Sequence, residues 1–157
     1  MDMDLRPKKI LFLDLSAHFL ITLIFSVFIY LRYLDFKMVG LVFLGGILID
    51  LDHLFDYFLF FGWDFRLDKF LSSYFLLSGK VYLPFHSWEL IFILSFFTLV
   101  YNSLWLSIFT LSLGLHILTD HIQRKDPLFY FMLYRLFCNF EVGQLCPELA
   151  QRSQNFS

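Results

Sequence analysis

The chain has 157 residues, which is enough for a single domain. Hydrophobic residues make up 59% of it and charged residues only 17%, and a soluble domain of this size has too little interior to bury that much apolar surface. The formal net charge of -2 lacks the basic excess of nucleic-acid-binding proteins, so we expect no nucleic acid as a partner. Composition therefore predicts one membrane domain over residues 1–157, with the lipid bilayer as its partner.

Four apolar stretches predict membrane helices. In chain order they cover about residues 10–31, 38–61, 87–101 and 104–122. The first two are long enough to cross a bilayer, which needs about 20 apolar residues. The third is shorter, which leaves open a tilted or partly inserted helix, or one long helix from Trp88 to Leu118. The first stretch follows basic residues, as a signal peptide does, but it is too long for one and predicts a retained helix.

Two further segments predict helices along the membrane surface. Residues 65–78 place apolar side chains at roughly helical spacing between charged and hydroxyl residues. Residues 127–140 follow Asp126 and begin at Pro127, the pattern of an N-cap with proline at the first helical position. We therefore predict an all-α, polytopic helical bundle with about four membrane helices and one or two interfacial amphipathic helices.

Lysine and arginine residues concentrate on one predicted side of the membrane. If the N-terminus is cytoplasmic, ten of the 12 basic residues lie on the inner side, and Arg32 and Lys37 lie on the outer side. Inner loops carry such an excess in membrane proteins. The pattern predicts a multi-pass protein of the cytoplasmic (inner) membrane with both termini in the cytoplasm.

Ionisable residues interrupt the apolar stretches, where they are costly and usually functional. They form four clusters: Asp14 and His18; Asp50, Asp52, His53 and Asp56; His86 and Glu89; and His116, Asp120 and His121. A chain that crosses the membrane up and down brings all four clusters to the same face. All five histidines of the protein belong to these clusters, which scattered structural histidines would not be expected to do.

Neutral imidazole and carboxylate are the ligand types that Zn²⁺, Mn²⁺ and Fe²⁺ take from proteins. His116 and Asp120 are four residues apart and share a helix face, and Asp50 and His53 are three apart and also share one. The clusters therefore predict a site for one or two divalent transition-metal ions, with zinc as the first choice and manganese or iron as alternatives.

Several of these residues also have purely structural interpretations. His18 could form a hydrogen bond between helices, and Asp14 could face lipid headgroups. Glu89 could favour the helix dipole behind a Ser87 N-cap. Asp56 and His121 suit interfacial positions, and the whole set could be a polar network without a metal.

The clusters resemble the membrane-bound, metal-dependent hydrolases, a family also described as LexA-binding, inner-membrane-associated hydrolases. That family has an early histidine in helix one, a D-x-D-H run ending helix two, a His-Ser pair opening helix three, and H-x-x-x-D in a later helix. The matching residues are His18, Asp50-Leu51-Asp52-His53, His86-Ser87, and His116 with Asp120, within about residues 10–125. The chain departs from the pattern at Ile49, where the family often has proline, and at 83–85, near which it often has His-Arg.

The resemblance implies a metal-dependent hydrolase, and we expect it to act at the cytoplasmic membrane face on phosphoesters such as lipid headgroups. Under this hypothesis the metal ligands are His18, Asp50, Asp52, His53, His86, His116 and Asp120. Asp52 is either a bridging ligand or the catalytic general base, and Glu89 is the second candidate for that base. The alternatives are a metal- or proton-conducting protein, a metal-binding protein without hydrolase activity, and a membrane scaffold with a degenerate site.

Overall fold

The computed structural model describes residues 8–71, 78–123, 126 and 128–147. Within these ranges the chain is helical, and the extended backbone is limited to one antiparallel bridge between Lys80 and Glu141. The helices are α1 (Lys8–Tyr33), α2 (Phe36–Gly46), α3 (Leu51–Phe61), α4 (Leu67–Leu71), α5 (Trp88–Tyr101), α6 (Leu104–Gln123), α7 (Met132–Phe137) and α8 (Val142–Leu145). The predicted all-α class is confirmed.

Three of the predicted long helices match α1, α5 and α6 closely. A single helix from Trp88 to Leu118 is excluded, because Asn102 adopts a left-handed conformation with φ 46° and ends α5. The hydroxyl of Ser103 then accepts a hydrogen bond from the Leu106 amide at 3.4 Å and starts α6. The two helices therefore form a hairpin.

The helix predicted over 38–61 is interrupted near its middle. The chain leaves α2 at Gly46, passes through a turn of 3-10 helix, Leu48–Asp50, and re-enters helix as α3. Gly45 is packed directly against α6, since a Cβ atom there would lie 2.9 Å from the carbonyl oxygen of Phe109. Two adjacent glycines thus bring three helices together and also favour the end of the helix.

Side chains from neighbouring helices donate hydrogen bonds to the carbonyl groups at the end of α2. The Ser112 hydroxyl donates to the carbonyl of Val42 at 2.6 Å. The Gly46 carbonyl accepts from His116 Nδ1 at 2.8 Å and from the Thr22 hydroxyl at 3.4 Å. Because these carbonyls have partners outside their own helix, α2 can end inside the bundle without burying unsatisfied acceptors.

The two predicted interfacial helices are shorter than expected. Within 65–78 the described helix is α4, and residues 72–77 lie outside the described residues. In the second segment Pro127 lies outside them too, and a turn occupies 128–130 before α7 begins at Met132, so the predicted start at residue 127 is wrong. The physical reason is a cap from another helix: the Glu89 carboxylate accepts the Met132 and Leu133 amides at 2.8 and 3.0 Å.

Two helical stretches, Phe12–Tyr33 and Phe36–Phe61, are long and apolar enough to cross a membrane by length and composition. Most of the large exposed side chains between residues 12 and 31 of α1 are apolar, among them Phe12, Leu13, Phe19, Ile24, Phe28 and Leu31. An exposed apolar surface of this kind suits association with a membrane.

The described residues form two buried apolar clusters, and α1 and α6 also carry buried polar residues. One cluster consists of Ile29, Met38, Val42 and Ile108. The other includes Tyr57, Val81, Leu83, Leu113, Ile117, Phe129, Tyr130 and Val142. Along α1 and α6 the buried polar side chains are His18, Thr22, Ser26, Thr110, Ser112, His116 and Thr119. The bundle therefore holds its polar groups inside, where each needs a partner.

We expect Gly45→Ala to destabilise the protein by about 1–3 kcal/mol, because the added methyl group would meet backbone atoms of α6 that cannot rotate away. Gly40→Ala in the same helix is the matched control, since nothing lies within 4 Å of its Cβ position, and it should be neutral or slightly stabilising. Thermal unfolding in detergent measures both. Equal midpoints for the two variants would contradict the close approach of α2 and α6.

Candidate metal centre

Four imidazole and carboxylate groups from three parts of the chain converge at one end of the bundle. His86 Nε2 lies 3.1 Å from His116 Nε2, and Asp50 Oδ1 lies 3.3 Å from each of these nitrogens. Asp120 Oδ2 lies 3.4 Å from His116 Nε2 and 3.7 Å from His86 Nε2. We call Asp50, His86, His116 and Asp120 the quartet.

The five distances given above, 3.1 to 3.7 Å, are close to those between neighbouring ligands of a metal ion. Ligands about 2.0–2.1 Å from a zinc ion stand roughly 3.3–3.4 Å apart at the corners of a tetrahedron. Hydrogen bonds would account for any one of these distances alone. Two imidazole nitrogens that lie this close to each other and to both carboxylate oxygens, however, form an arrangement that could hold one metal ion.

A contact at Nδ1 orients each of the two histidines of the quartet. His116 Nδ1 lies 2.8 Å from the carbonyl oxygen of Gly46, and His86 Nδ1 lies 2.9 Å from the carboxylate of Asp52. With Nδ1 protonated in this way, each ring directs Nε2 at the quartet, as is usual for histidine ligands. Burial lowers the pKa of His86, but its hydrogen bonds with Asp50 and Asp52 outweigh burial and raise it. A metal ion that binds His86 Nε2 would replace the proton on that nitrogen.

His18 and His53 flank the quartet on opposite sides. His18 Nε2 lies 2.9 Å from Asp120 Oδ1 and 3.5 Å from Asp14 Oδ1. The ring of His53 lies 4.9 Å from that of His86, and its Nε2 lies 4.0 Å from Asp50 Oδ1.

With these flanking residues the site contains two groups of three potential ligands. His18, His116 and Asp120 form one group, and Asp50, His53 and His86 form the other. These buried His and Asp groups could hold one ion in the quartet, or two ions side by side.

The site is open at one side. The side chains of His86 and His116 are buried, whereas those of Asp50 and His53 are 42% and 26% exposed. We call the face formed by Asp50 and His53 the mouth.

A short segment between α4 and α5 carries His86, and we call residues 79–87 the His86 loop. The Asp56 carboxylate accepts the Tyr82 amide at 2.8 Å, and the Asp52 carboxylate accepts the Phe85 amide at 3.1 Å. The two carboxylates project from successive turns of α3, four residues apart. Asp52 therefore orients both His86 and its loop, and lies behind the quartet rather than within it.

The opposite side of the His86 loop rests on a buried arginine. Arg135 Nη1 donates to the carbonyls of Tyr82 and Leu83 at 2.7 and 3.0 Å, and its Nη2 donates to the carbonyl of His86 at 2.8 Å. Burial lowers the pKa of Arg135 to about 10, which still leaves it charged at neutral pH. The sequence pattern places Arg135 among the cytoplasmic charges and indicates no contact between it and the site.

Two of the predicted residues have other contacts. Both oxygens of Glu89 accept backbone amides at the start of α7, so its observed contacts are those of a cap rather than of a base. His121 lies 3.4 Å from the indole nitrogen of Trp88, outside the groups of potential ligands found in the described ranges. The interpretation of Ser87 as an N-cap is confirmed, because its hydroxyl accepts the Leu90 amide.

Comparison with family models, curated proteins and solved structures found no match to this chain.

We expect His116→Gln to lower divalent-metal affinity by at least about 100-fold, because it removes one of the four residues of the quartet. Loss of a residue that only orients a metal ligand typically costs about 10- to 100-fold. His121→Gln is the matched control, with the same substitution five residues further along α6. Metal content after dialysis, measured by mass spectrometry, distinguishes them. The quartet is not a metal site if both variants retain as much metal as the wild type.

Proposed function

We propose that the protein is a membrane-embedded metal-dependent hydrolase whose quartet holds a divalent transition metal, zinc in the first place. The observation that carries this proposal is the close approach of two imidazole nitrogens to each other and to two carboxylate oxygens, beside a partly exposed mouth. Zinc favours four such ligands, whereas manganese and iron accept the same donor types at higher coordination number. A second ion could use the flanking histidines.

A metal bound there would lower the pKa of a water molecule and neutralise charge on a phosphoryl oxygen. The chain's own residues prepare the site for this. Asp52 and the Gly46 carbonyl hold the two buried imidazoles in position, so little reorganisation accompanies binding. Of the groups outside the quartet, His53 is the partly exposed imidazole at the mouth. We assign it the transfer of a proton to or from the substrate, in place of Glu89.

The substrate class is a phosphoester at the membrane surface, such as a lipid headgroup. Leu51 and Phe55, two residues before and after His53 on α3, expose 55% and 59% of their surface, so the face of α3 turned away from His53 is apolar. Phe85, next to His86, is 52% exposed. Exposed apolar side chains on the elements that carry the site support its placement at a lipid surface, where a headgroup could reach the metal.

The membrane arrangement is part of the same proposal. We infer that α5 and α6 cross the bilayer together with the two longer stretches, and that both termini lie in the cytoplasm of a cell with an inner membrane. The excess of basic residues on that side supports the orientation. The spacing of His18, the D-x-D-H run, His86-Ser87 and the His116–Asp120 pair supports a divergent member of the membrane-bound, metal-dependent hydrolases.

An ion conduit is the main alternative, and the packing does not favour it. The buried polar side chains His18, Thr22 and Ser26 follow one face of α1 away from the site. They lead to the apolar cluster that contains Ile29 and Ile108, both nearly inaccessible to solvent. A dry apolar layer opposes the passage of ions, so the polar groups serve a site that opens at one end.

We expect His53→Ala to retain one bound metal ion and to lose about 10²- to 10⁴-fold in hydrolysis, the usual contribution of a positioned acid or base. His121→Ala should keep both properties. Metal content and the release of headgroup phosphate from phospholipid vesicles, or of nitrophenol from nitrophenyl phosphodiesters, are measured on the same samples.

Metal-loaded wild type that hydrolyses none of these phosphoesters would refute the assigned substrate class. Metal flux in proteoliposomes would favour the conduit instead. If His53→Ala together with Asp120→Ala leaves cellular function intact, the scaffold alternative is correct.

A further inference from the structure

We propose that Arg135 is a positioning residue for the metal centre. We also propose that residues 128–147, the segment around α7, set the affinity for the metal through Arg135. The inference rests on metal binding by the quartet, the first half of the proposed function, and is independent of hydrolysis. It concerns His86 in particular, the one quartet residue that lies in a loop rather than in a helix or helical turn.

The loop that carries His86 is held from two sides by opposite charges. On one side the carboxylates of Asp52 and Asp56 accept backbone amides. On the other side Arg135 donates to three carbonyls, one of which belongs to His86 itself. A planar guanidinium presents several donors in a fixed geometry, so it fixes the direction of the peptide groups as well as their position.

Arg135 is fully buried, which makes its role specific. A buried charge is costly unless it is well paired. Its terminal nitrogens donate to three carbonyls within five residues of the loop, its Cζ lies 6.0 Å from the centre of the Phe129 ring, and its buried Nε has no hydrogen-bond partner among the described residues. Because the hydrogen bonds of Nη1 and Nη2 go to the loop, the stabilisation of the buried guanidinium depends on the loop having the conformation that aims His86 Nε2 at the quartet.

Backbone contacts extend this connection along the following segment, residues 128–147. The Val81 amide donates to the carbonyl of Phe140, and the Val142 amide donates to the carbonyl of Gly79, each at 3.0 Å. The Trp88 amide donates to the carbonyl of Tyr130 at 3.0 Å. Hydrogen bonds from the segment around α7 thus help to fix the conformation of the His86 loop.

The stability of this segment and metal binding by the quartet must each affect the other. If the segment raises the affinity of the quartet for a metal, then a bound metal must stabilise the segment to the same extent. The protein contains its own reporters of this effect, because its two cysteines, Cys138 and Cys146, are both buried in the segment. Neither residue belongs to the quartet.

The first test is a double-mutant cycle on purified full-length protein in detergent, with Co²⁺ affinity as the measurement. We expect Arg135→Met to weaken binding by about 10- to 100-fold, as for other residues that orient a ligand. Because Arg135 acts through His86, the double variant with His86→Gln should bind no more weakly than His86→Gln alone. Arg32→Met, at the exposed end of α1, should not change affinity.

The cobalt absorption spectrum provides a second readout that general destabilisation would not reproduce. Arg135→Met should shift it toward the spectrum of His86→Gln, which lacks one nitrogen ligand. An additive loss of affinity in the double variant, or an unchanged Arg135→Met spectrum with wild-type affinity, would overturn the proposal.

The second test uses the wild-type chain and stands even if Arg135→Met does not fold. Bound Co²⁺ should slow maleimide labelling of Cys138 and Cys146 by about fivefold or more, the lower end of typical couplings between two sites. His116→Gln keeps both thiols, so protection should disappear in it. Equal labelling with and without metal in the wild type, or equal protection in His116→Gln, would overturn the coupling.

Discussion

The close approach of α2 to its neighbours at Gly45 and Gly46 is the constraint on which the rest of the structure depends. Without Cβ atoms there, the backbone of α2 can contact α6, and the helix ends where the contact is tightest. The carbonyl of Gly46 then becomes an acceptor for His116, which fixes the direction of that ring. The turn of 3-10 helix that follows brings Asp50 into the quartet, and α3 begins directly after it.

The polar residues of this turn and of α3 serve two purposes. Asp50 contributes an oxygen to the quartet, while Asp52 and Asp56 face the His86 loop and accept its amides. Residues 50–56 therefore supply one residue of the quartet, Asp50, and the two carboxylates that hold the loop of another, His86. Such supports hold ligand atoms more precisely than a loop alone could, which is what a preorganised site requires.

The sequence was sufficient to predict the features that depend on local pattern. Apolar length identified α1, α5 and α6, and up-and-down threading was enough to bring His18, His86 and His116 to one end of the bundle. The break after Gly46 was not predicted, since it lies inside an unbroken apolar run and arises from packing with other helices. The contacts of Glu89 and Arg135 join residues more than 40 positions apart, so no local spacing could indicate them.

The position of Arg135 along the chain has a consequence for biogenesis. Ribosomes release α1, α3 and α6 before α7, so the nascent protein contains His86 and His116 while the guanidinium that shapes the His86 loop is still missing. The centre is completed late in synthesis, because Arg135 is made after all four residues of the quartet. If the quartet binds a metal, a chain that has not yet reached α7 would hold that metal less tightly than the finished protein.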